Sequence, residues 1–205
     1  MFLASGWPIT DRLNAELLLA AYRRGLFPMG DNQYPDAVYW FDPDPRGILP
    51  LEDFHVPFTL RKLVRQQKFQ IAFDQNFPAV IDACAAPAPG RETTWITPPI
   101  RQAYLDLYQK GYAHSVECYL EGKLVGGLYG VALQGAFFGE SMFHRVRDAS
   151  KVALVHLVHH LKKQGFVLLD TQYVTPHLAR FGAIEIPRET YHQKLREALK
   201  LSVSW

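Results

Sequence analysis

One stretch in the middle of the chain, residues 113–144, constrains the fold more than any other. Its segments "AHSVECYLE", "LVGGLYGVA" and "AFFGESMF" have the period-two pattern of strands, with turns at Gly122 and Gly135 between them. This pattern predicts three consecutive antiparallel strands. A helical segment from about Ser150 to Gln164 follows, and then the apolar run "FVLLDTQ". Because a strand–helix–strand crossover makes a parallel pair, we expect the third strand and this fourth strand to lie side by side.

Helical patterns flank these strands. Upstream, "PFTLRKLVRQQK" has an apolar and a basic side, a second helix is indicated near Phe77 to Ala85, and a third begins at Thr97 and ends before Gly111. Downstream, "RETYHQKLREALK" predicts a last helix. The order helix, three strands, helix, strand, helix is that of the acyl-CoA N-acyltransferase fold. We therefore expect an α+β (mixed α/β) protein with a GNAT-like core.

The first part of the chain has a different composition. A helix "AELLLAAYRR", capped by Thr10 or Asn14, should end at Gly25. From Phe27 to Pro57 the chain is rich in aromatic residues, proline and aspartate, which indicates loops with short strands. The predicted division is a small N-terminal domain and linker at residues 1–57 and a GNAT-like catalytic domain at residues 58–205.

Bulk properties exclude several classes of protein. With 205 residues, 48% of them hydrophobic, the chain can bury a full core, and its net charge of +2 is too small to indicate nucleic-acid binding by itself. Its apolar runs are too short to span a membrane and its start lacks the pattern of a secretory signal, so we expect a cytoplasmic protein without a membrane partner. Cys84 and Cys118 lack C-x-x-C spacing, which favours free buried thiols. Neither they nor His156, His159 and His160 indicate a metal site, because no acidic ligand accompanies the histidines.

Two polar residues interrupt the apolar run of the fourth strand. Asp170 and Gln172 stand where further apolar residues are expected, and an unpaired buried charge costs several kcal/mol, by rough transfer estimates. Glu140 occupies a similar place near the end of the neighbouring strand. Ligands in such sheets bind where adjacent strands part at their carboxyl ends. We therefore expect Glu140, Asp170 and Gln172 to face one another across a cleft.

Eight ordered motifs, spread from about Leu17 to Ala198, resemble one known family. They are "AAYRRGLFPM", "YWFDPDPRGIL", "TTWIT", "GYAHSVE", "LVGGLYGVALQGAFFGESMF", "DASKVAL", "LLDTQ" and "FGAIEIPR". The family is the leucyl/phenylalanyl-tRNA–protein transferases. The resemblance implies transfer of Leu or Phe, and weakly Met, from aminoacyl-tRNA to proteins with an N-terminal Arg or Lys, which marks them for N-degron (N-end rule) degradation. It also implies a monomer and no cofactor.

The resemblance assigns roles to the polar residues of the two strands. Gln172 cannot act as a base at neutral pH, but its carbonyl oxygen can accept a hydrogen bond from the attacking amine. Asp170 would hold Gln172 or attract the departing proton, and Glu140 would bind the cationic acceptor. The alternative is a buried hydrogen-bonded pair that only fixes the strand ends.

Further residues gain a role only from the resemblance. The expected pocket for the transferred side chain is formed by Leu128, Phe137, Met142 and Leu157. The expected contacts to the 3′ adenosine of the tRNA are Trp95 and, more weakly, Trp40 and Phe41. The expected contacts to the acceptor stem are the cations Arg61, Lys62, Arg65 and Lys68, which from their pattern alone also suit a solvated helix face.

Two other functions remain open from the residues. An acyl-CoA-dependent N-acetyltransferase would share the fold, but that class uses a glycine-rich turn before the crossover helix, and "HRVRDASK" contains no glycine. A non-catalytic RNA-binding module would explain the basic helix and Trp95 and would leave Glu140, Asp170 and Gln172 without a use.

Overall fold

The structure, a computed structural model, describes residues 7–8, 13–31, 33–34, 36–88 and 92–205. Its helices are α1 (Ala15–Tyr22), α2 (Phe58–Arg65), α3 (Phe77–Ala85), α4 (Pro98–Gln109), α5 (Ala149–Gln164), α6 (Pro176–Ala179) and α7 (Arg188–Ala198). Its strands are β1 (Trp7–Pro8), β2 (Phe27–Gly30), β3 (Val38–Phe41), β4 (Arg46–Ile48), β5 (Gln70–Phe73), β6 (Ala113–Leu120), β7 (Lys123–Leu133), β8 (Ala136–His144), β9 (Leu168–Gln172) and β10 (Ile184–Ile186). No described helix is both long enough and apolar enough to span a bilayer.

The strands form two sheets. A small sheet has the order β1-β3-β2, and a large sheet has the order β10-β4-β9-β8-β7-β6-β5. In the large sheet β8 and β9 are parallel, with Phe138 opposite Asp170, and the other neighbouring pairs are antiparallel. The predicted three-stranded meander and the parallel pair after the crossover helix are confirmed.

Helices cover both faces of the large sheet. On one face α1, α3 and α4 bury apolar residues against β7 and β8, and on the other face α2 and α5 do so. Adjacent strand residues point to opposite faces, so Leu128 belongs to the α5 side and Tyr129 to the α1 side. This three-layer arrangement buries α5, the crossover helix, along most of its length.

The ends of α1 follow the local sequence signals. The Asn14 side chain accepts a hydrogen bond from the Leu17 backbone N–H at 2.8 Å, which satisfies one of the free donors of the first turn. The chain leaves the helix at Gly25, whose φ of +80° suits a glycine. Asn14 is therefore the cap; the alternative, Thr10, lies outside the described residues.

Three short strands of the large sheet were not expected individually from the sequence. β4 pairs with β9 and β10, and β5 pairs with β6 at the other edge. β4 falls inside the region predicted as the N-terminal domain, yet it is an internal strand of the large sheet. The division at residue 57 remains a prediction about domains, but it does not coincide with the division between the two sheets.

Candidate active site

The two central parallel strands separate next to a cleft of about 350 Å³. The pairing of β8 with β9 begins at Ala136 and Leu168 and ends at Phe138 and Asp170. A bulge at the Tyr129/Gly130 step shifts β8 against β7. Beyond that point the strand ends diverge, and α5, α6 and the Phe27–Met29 segment complete the walls. Glu140 and Gln172 both line the cleft, as expected for a site at the carboxyl ends of parallel strands.

Asp170 has a full set of partners beneath the cleft. It is 0% exposed, and its two oxygens accept hydrogen bonds from Arg46 Nε (3.0 Å) and Arg46 Nη2 (2.6 Å). The Tyr191 hydroxyl donates at 2.7 Å and the Gln172 backbone N–H at 2.8 Å. These four bonds occupy the lone pairs of the carboxylate. Asp170 is therefore placed to fix its neighbours, and no free lone pair is left to receive a proton from the cleft.

Arg46, the partner of Asp170, was not identified from the sequence. It lies on β4, is also 0% exposed, and donates to the Gly25 carbonyl at 2.8 Å. Its guanidinium lies over the rings of Tyr191 (4.2 Å) and Phe27 (4.9 Å). The sequence did contain a signal for Arg46, which directly precedes the apolar stretch "GILPL". An arginine in such a place is expected to be buried with a carboxylate from another strand.

The backbone of Gln172 is unusual. Its φ is +57°, and the Tyr173 N–H bonds the Thr171 carbonyl at 2.6 Å, which makes a tight turn at the strand end. A non-glycine residue in this region costs on the order of 1–3 kcal/mol and needs support from its surroundings. Asp170 gives that support through the Gln172 N–H. Gly47 also permits this turn, because the Cβ of any other residue there would clash with the Tyr173 carbonyl carbon at 2.6 Å.

Two buried tyrosines hold Glu140. The Tyr22 and Tyr104 hydroxyls each donate to one of its oxygens at 2.8 Å, and burial raises the pKa of both phenols, so they remain protonated donors. Burial raises the pKa of Glu140 to about 7; the two tyrosine hydrogen bonds oppose this, and Asp170 adds to it. Glu140 therefore changes charge close to neutral pH.

The side chains of Glu140 and Gln172 meet across the cleft. Gln172 Nε2 donates to Glu140 Oε1 at 3.4 Å. This orientation leaves the carboxamide oxygen of Gln172 as an acceptor, since none of the described hydrogen bonds uses it. A carboxylate and an amide acceptor side by side suit an incoming ammonium or amine group. Glu140 and Gln172 therefore meet as predicted. The expectation that Asp170 also faces the cleft is wrong, because its carboxylate is bonded to Arg46 and Tyr191 beneath it.

The apolar wall of the cleft contains three of the four residues expected to form the side-chain pocket. Leu128, Met142 and Leu157 line it, together with Leu154 and Leu169. Phe137 does not: it is fully buried, and its ring packs at 5.3 Å against that of Trp205 on the α5 side of the sheet. Its position on β8 lies before the bulge, so the strand directs it into the core.

Three residues of the cleft have a buried polar atom that bonds no described residue. These atoms are the Tyr129 hydroxyl, the Thr171 hydroxyl and His177 Nε2. Buried polar groups in native proteins are nearly always hydrogen-bonded, so such atoms at a cleft indicate polar groups of a ligand or of bound water. Sequence reasoning did not identify them, because nothing in the local pattern separates them from core residues.

Of the aromatic residues expected at the tRNA 3′ end, only Trp95 lines the cleft. Its carbonyl accepts from the Gly30 N–H at 3.0 Å, and a Cβ at Gly30 would lie 2.7 Å from that oxygen, so glycine permits the close approach. Trp40 and Phe41 lie on β3 and are not among the lining residues; Phe41 stacks on Phe27 at 5.9 Å. Trp95 therefore lies at the cleft, whereas Trp40 and Phe41 do not line it.

The four cations of α2 and its C-terminal extension form an exposed basic face. Arg61, Lys62, Arg65 and Lys68 are all exposed, while Leu60 is buried towards α5. Arg61 also donates to the Val56 carbonyl at 3.1 Å. Cys84 and Cys118 are buried and are not joined in a disulfide, as predicted. Among the described residues, no three His, Cys, Asp or Glu side chains are grouped as a metal site would need.

Comparison with known proteins points to one family. Residues 48–196 match the family model described as leucyl/phenylalanyl-tRNA protein transferase, and residues 11–44 match the model of its N-terminal domain. A leucyl/phenylalanyl-tRNA–protein transferase of Salinibacter ruber is 55% identical over 195 residues, covering 95% of this chain and 84% of the relative. One from Phenylobacterium zucineum is 59% identical over 186 residues, covering 91% and 84%.

A solved structure supports the fold alone. It contains a GCN5-related glucosamine N-acetyltransferase region of a fungal multi-domain GH3 beta-N-acetylglucosaminidase, and it is 12% identical with a TM-score of 0.50. The match covers 89% of this chain and 23% of that chain. The expected GNAT-like core is thereby confirmed. With two family models matched along most of its length and relatives more than half identical, the chain belongs to the leucyl/phenylalanyl-tRNA–protein transferase family.

Proposed function

We propose that this protein transfers a leucyl or phenylalanyl residue from aminoacyl-tRNA to the α-amino group of proteins that begin with Arg or Lys. It acts in the cytoplasm as a monomer, and the new N-terminal residue marks the acceptor for degradation. The observation that carries the proposal is the cleft in which Glu140 and Gln172 stand beside an apolar wall, on top of the buried Arg46–Asp170 pair.

The reaction needs little more than positioning and proton transfer, because the donor ester is already activated. The nitrogen of the acceptor attacks the ester carbonyl carbon, an amide bond forms, and the bond to the ribose oxygen breaks. The proton lost by the amine ends on that ribose oxygen. An α-amino group has a pKa of about 7.7–8.0, so only a minority is neutral at pH 7. Holding the neutral amine in line is therefore a large part of the catalysis.

Gln172 and Glu140 divide this task. The free carboxamide oxygen of Gln172 accepts a hydrogen bond from the amine and directs its lone pair towards the ester. Glu140, ionised above about pH 7, attracts the cationic acceptor. Asp170 acts through the backbone of Gln172, as a positioning residue that holds the turn with φ +57°.

The walls of the cleft suit the donor. Leu128, Met142 and Leu157 provide an apolar surface for the transferred side chain, and Trp95, which lines the same cleft, stacks on the terminal adenosine. The basic face of α2 suits the phosphates of the acceptor stem. In an apolar pocket one methylene is worth only about 1–3 kcal/mol, so methionine should be accepted poorly and aspartate rejected.

The test is a two-donor transfer assay. A peptide beginning with Arg is incubated with the protein and either radiolabelled Leu-tRNA or radiolabelled acetyl-CoA. We expect label in the peptide from Leu-tRNA only, and none in a control peptide beginning with Asp. Label from acetyl-CoA alone would instead show an acyl-CoA-dependent N-acetyltransferase.

A further inference from the structure

The most exposed large apolar side chain among the described residues lies at the start of the basic helix. Phe58 is 78% exposed and is the first residue of α2. Residues three, four and seven positions later on a helix share its face, so Phe58 stands in one stripe with Arg61, Lys62 and Arg65. An exposed phenylalanine contributes little to the fold. Its place in a stripe of cations matches the pairing of aromatic and basic side chains that binds unpaired nucleotides.

The segment before α2 contacts the chain that follows α6, which is one wall of the cleft. Phe54 stacks on Phe181 at 5.8 Å, and the His55 N–H bonds the Phe181 carbonyl at 3.0 Å. Phe181 also contacts His177 at 5.4 Å, and His177 lines the cleft. The stripe therefore starts at Phe58, three residues after the His55 contact with Phe181 beyond α6, and its cations follow along α2.

The same helix end is electrostatically suited to a phosphate. The first turn of α2 contains no acidic residue, and its N-cap, Pro57, provides no capping side chain. The positive end of the helix dipole is therefore uncompensated by side chains and lies at the same end as Phe58. An aromatic ring and a positive helix end together match one nucleotide, with a base to stack and a phosphate to bind.

We propose that Phe58 stacks on the first unpaired base of the donor tRNA, where the acceptor stem ends and the single-stranded 3′ end turns into the cleft. The proposal rests on the proposed function. The cations of the stripe hold the phosphates of the duplex, and Phe58 occupies the position where duplex and single strand part. The donor is thereby guided so that its 3′ adenosine reaches Trp95.

The inference is tested by tRNA affinity over a range of salt concentrations for the wild type and four variants. Phe58→Ala should weaken binding of Phe-tRNA about 5- to 150-fold at every salt concentration, the scale of one base–aromatic stack, without changing the slope of log affinity against log salt. Phe58→Trp should bind like the wild type, and Phe58→Leu like Phe58→Ala. The control Arg65→Ala should instead flatten the slope by about 0.7–0.9.

Two further readouts locate the contact. 2-Aminopurine placed at the first unpaired position of the tRNA should be quenched on binding to the wild type and not to Phe58→Ala. Binding of 3′-phenylalanyl adenosine, which lacks the stem, should be the same for both. Unchanged tRNA affinity in Phe58→Ala, or full affinity in Phe58→Leu, would overturn the stacking contact while leaving the transferase intact. Failure of the wild type to bind Phe-tRNA would overturn the proposed function itself.

Discussion

At the scale of single residues, the site depends on side chains that set the protonation of Glu140 and the backbone conformation of Gln172. Glu140 is held by two phenols that cannot ionise near neutral pH, and the raised pKa of Glu140 comes mainly from burial. Gln172 is held in a tight turn by a backbone bond to Asp170. A glutamate that changes charge near pH 7 and an amide with a free acceptor are complementary partners for an amine.

The first prediction concerns Gln172. Replacement by methionine keeps the volume and removes the acceptor for the amine, so the single-turnover transfer rate should fall about 100-fold or more, the scale of a lost proton-transfer contact. The affinity for Phe-tRNA should stay within about twofold, because neither the apolar wall nor the basic face changes. Gln134→Met is the matched control, since Gln134 is also a glutamine with positive φ and lies in an exposed turn. Equal rates for the two variants would refute the role of Gln172.

The second prediction concerns the pH dependence of Glu140. If transfer needs an ionised Glu140 (pKa about 7) and a neutral amine (pKa about 7.7–8.0), the logarithm of the rate should rise with a slope approaching two below pH 7. Glu140→Gln should be slower, with a slope approaching one, because only the amine still titrates. The measurement is the single-turnover rate from pH 5.5 to pH 9.

Tyr22→Phe provides a control for that assignment. Its hydroxyl stabilises the ionised form of Glu140 and so lowers the pKa. Without it, the pKa of Glu140 should rise and the corresponding bend in the profile should move to higher pH. A bend that does not move, or a slope of two that persists in Glu140→Gln, would show that another group titrates.

At the scale of elements, α2 and the β8–β9 pair perform separate tasks. The divergence of β8 and β9 forms the cleft, whereas α2 packs beside α5 and presents the basic face. Electrostatic binding of the stem and chemistry at the strand ends therefore involve different residues. Variants in one element should leave the other task unchanged.

The third prediction follows from this separation. Replacing Arg61 and Arg65 by Ala should flatten the slope of log tRNA affinity against log salt by about 1–2, since each phosphate contact contributes about 0.7–0.9. The transfer rate at saturating aminoacyl-tRNA should not change. The double replacement Arg101→Ala and Lys110→Ala removes the same number of cations from α4 and its C-terminus, on the opposite face of the sheet. A slope that responds to this control and not to the α2 variant would place the stem on the other face.

At the scale of the whole molecule, Arg46 connects parts of the chain that are distant in sequence. It bonds the carbonyl after α1, the carboxylate of β9 and the hydroxyl of Tyr191 on α7, and it packs on Phe27 of the small sheet. The buried pair is therefore both an element of the fold and the support of the catalytic turn. Stability and activity are coupled at this position.

The fourth prediction separates these two effects. Asp170→Asn removes the closer of the two carboxylates beside the buried guanidinium of Arg46, leaving Asp42 at 3.5 Å, and should lower the free energy of unfolding by about 3–5 kcal/mol. The double replacement Arg46→Met and Asp170→Leu removes both charges and should recover most of that loss. It should remain nearly inactive, because leucine at position 170 offers the Gln172 N–H no acceptor. Urea unfolding measures the free energy of unfolding of each variant, and single-turnover assays measure its transfer rate. An active double variant would show that Asp170 has no part in positioning Gln172.

Sequence alone determined the meander, the crossover helix, the parallel pair and the meeting of Glu140 and Gln172. Local periodicity predicts each helix and strand, and the rules on the handedness of strand connections predict which strands are neighbours. Leu128, Met142, Leu157 and Trp95, which the resemblance to a family assigns to donor binding, line the cleft in the structure. Only the tertiary structure decided that Asp170 pairs with Arg46, that Tyr22 and Tyr104 hold Glu140, and that Phe137 points into the core. The physical reason is that β4, α1 and α4 reach the site from distant parts of the chain, and a bulge in β8 changes which side chains face the cleft. Periodicity reports the direction of a side chain along one element, but the partner it meets depends on how separate elements pack.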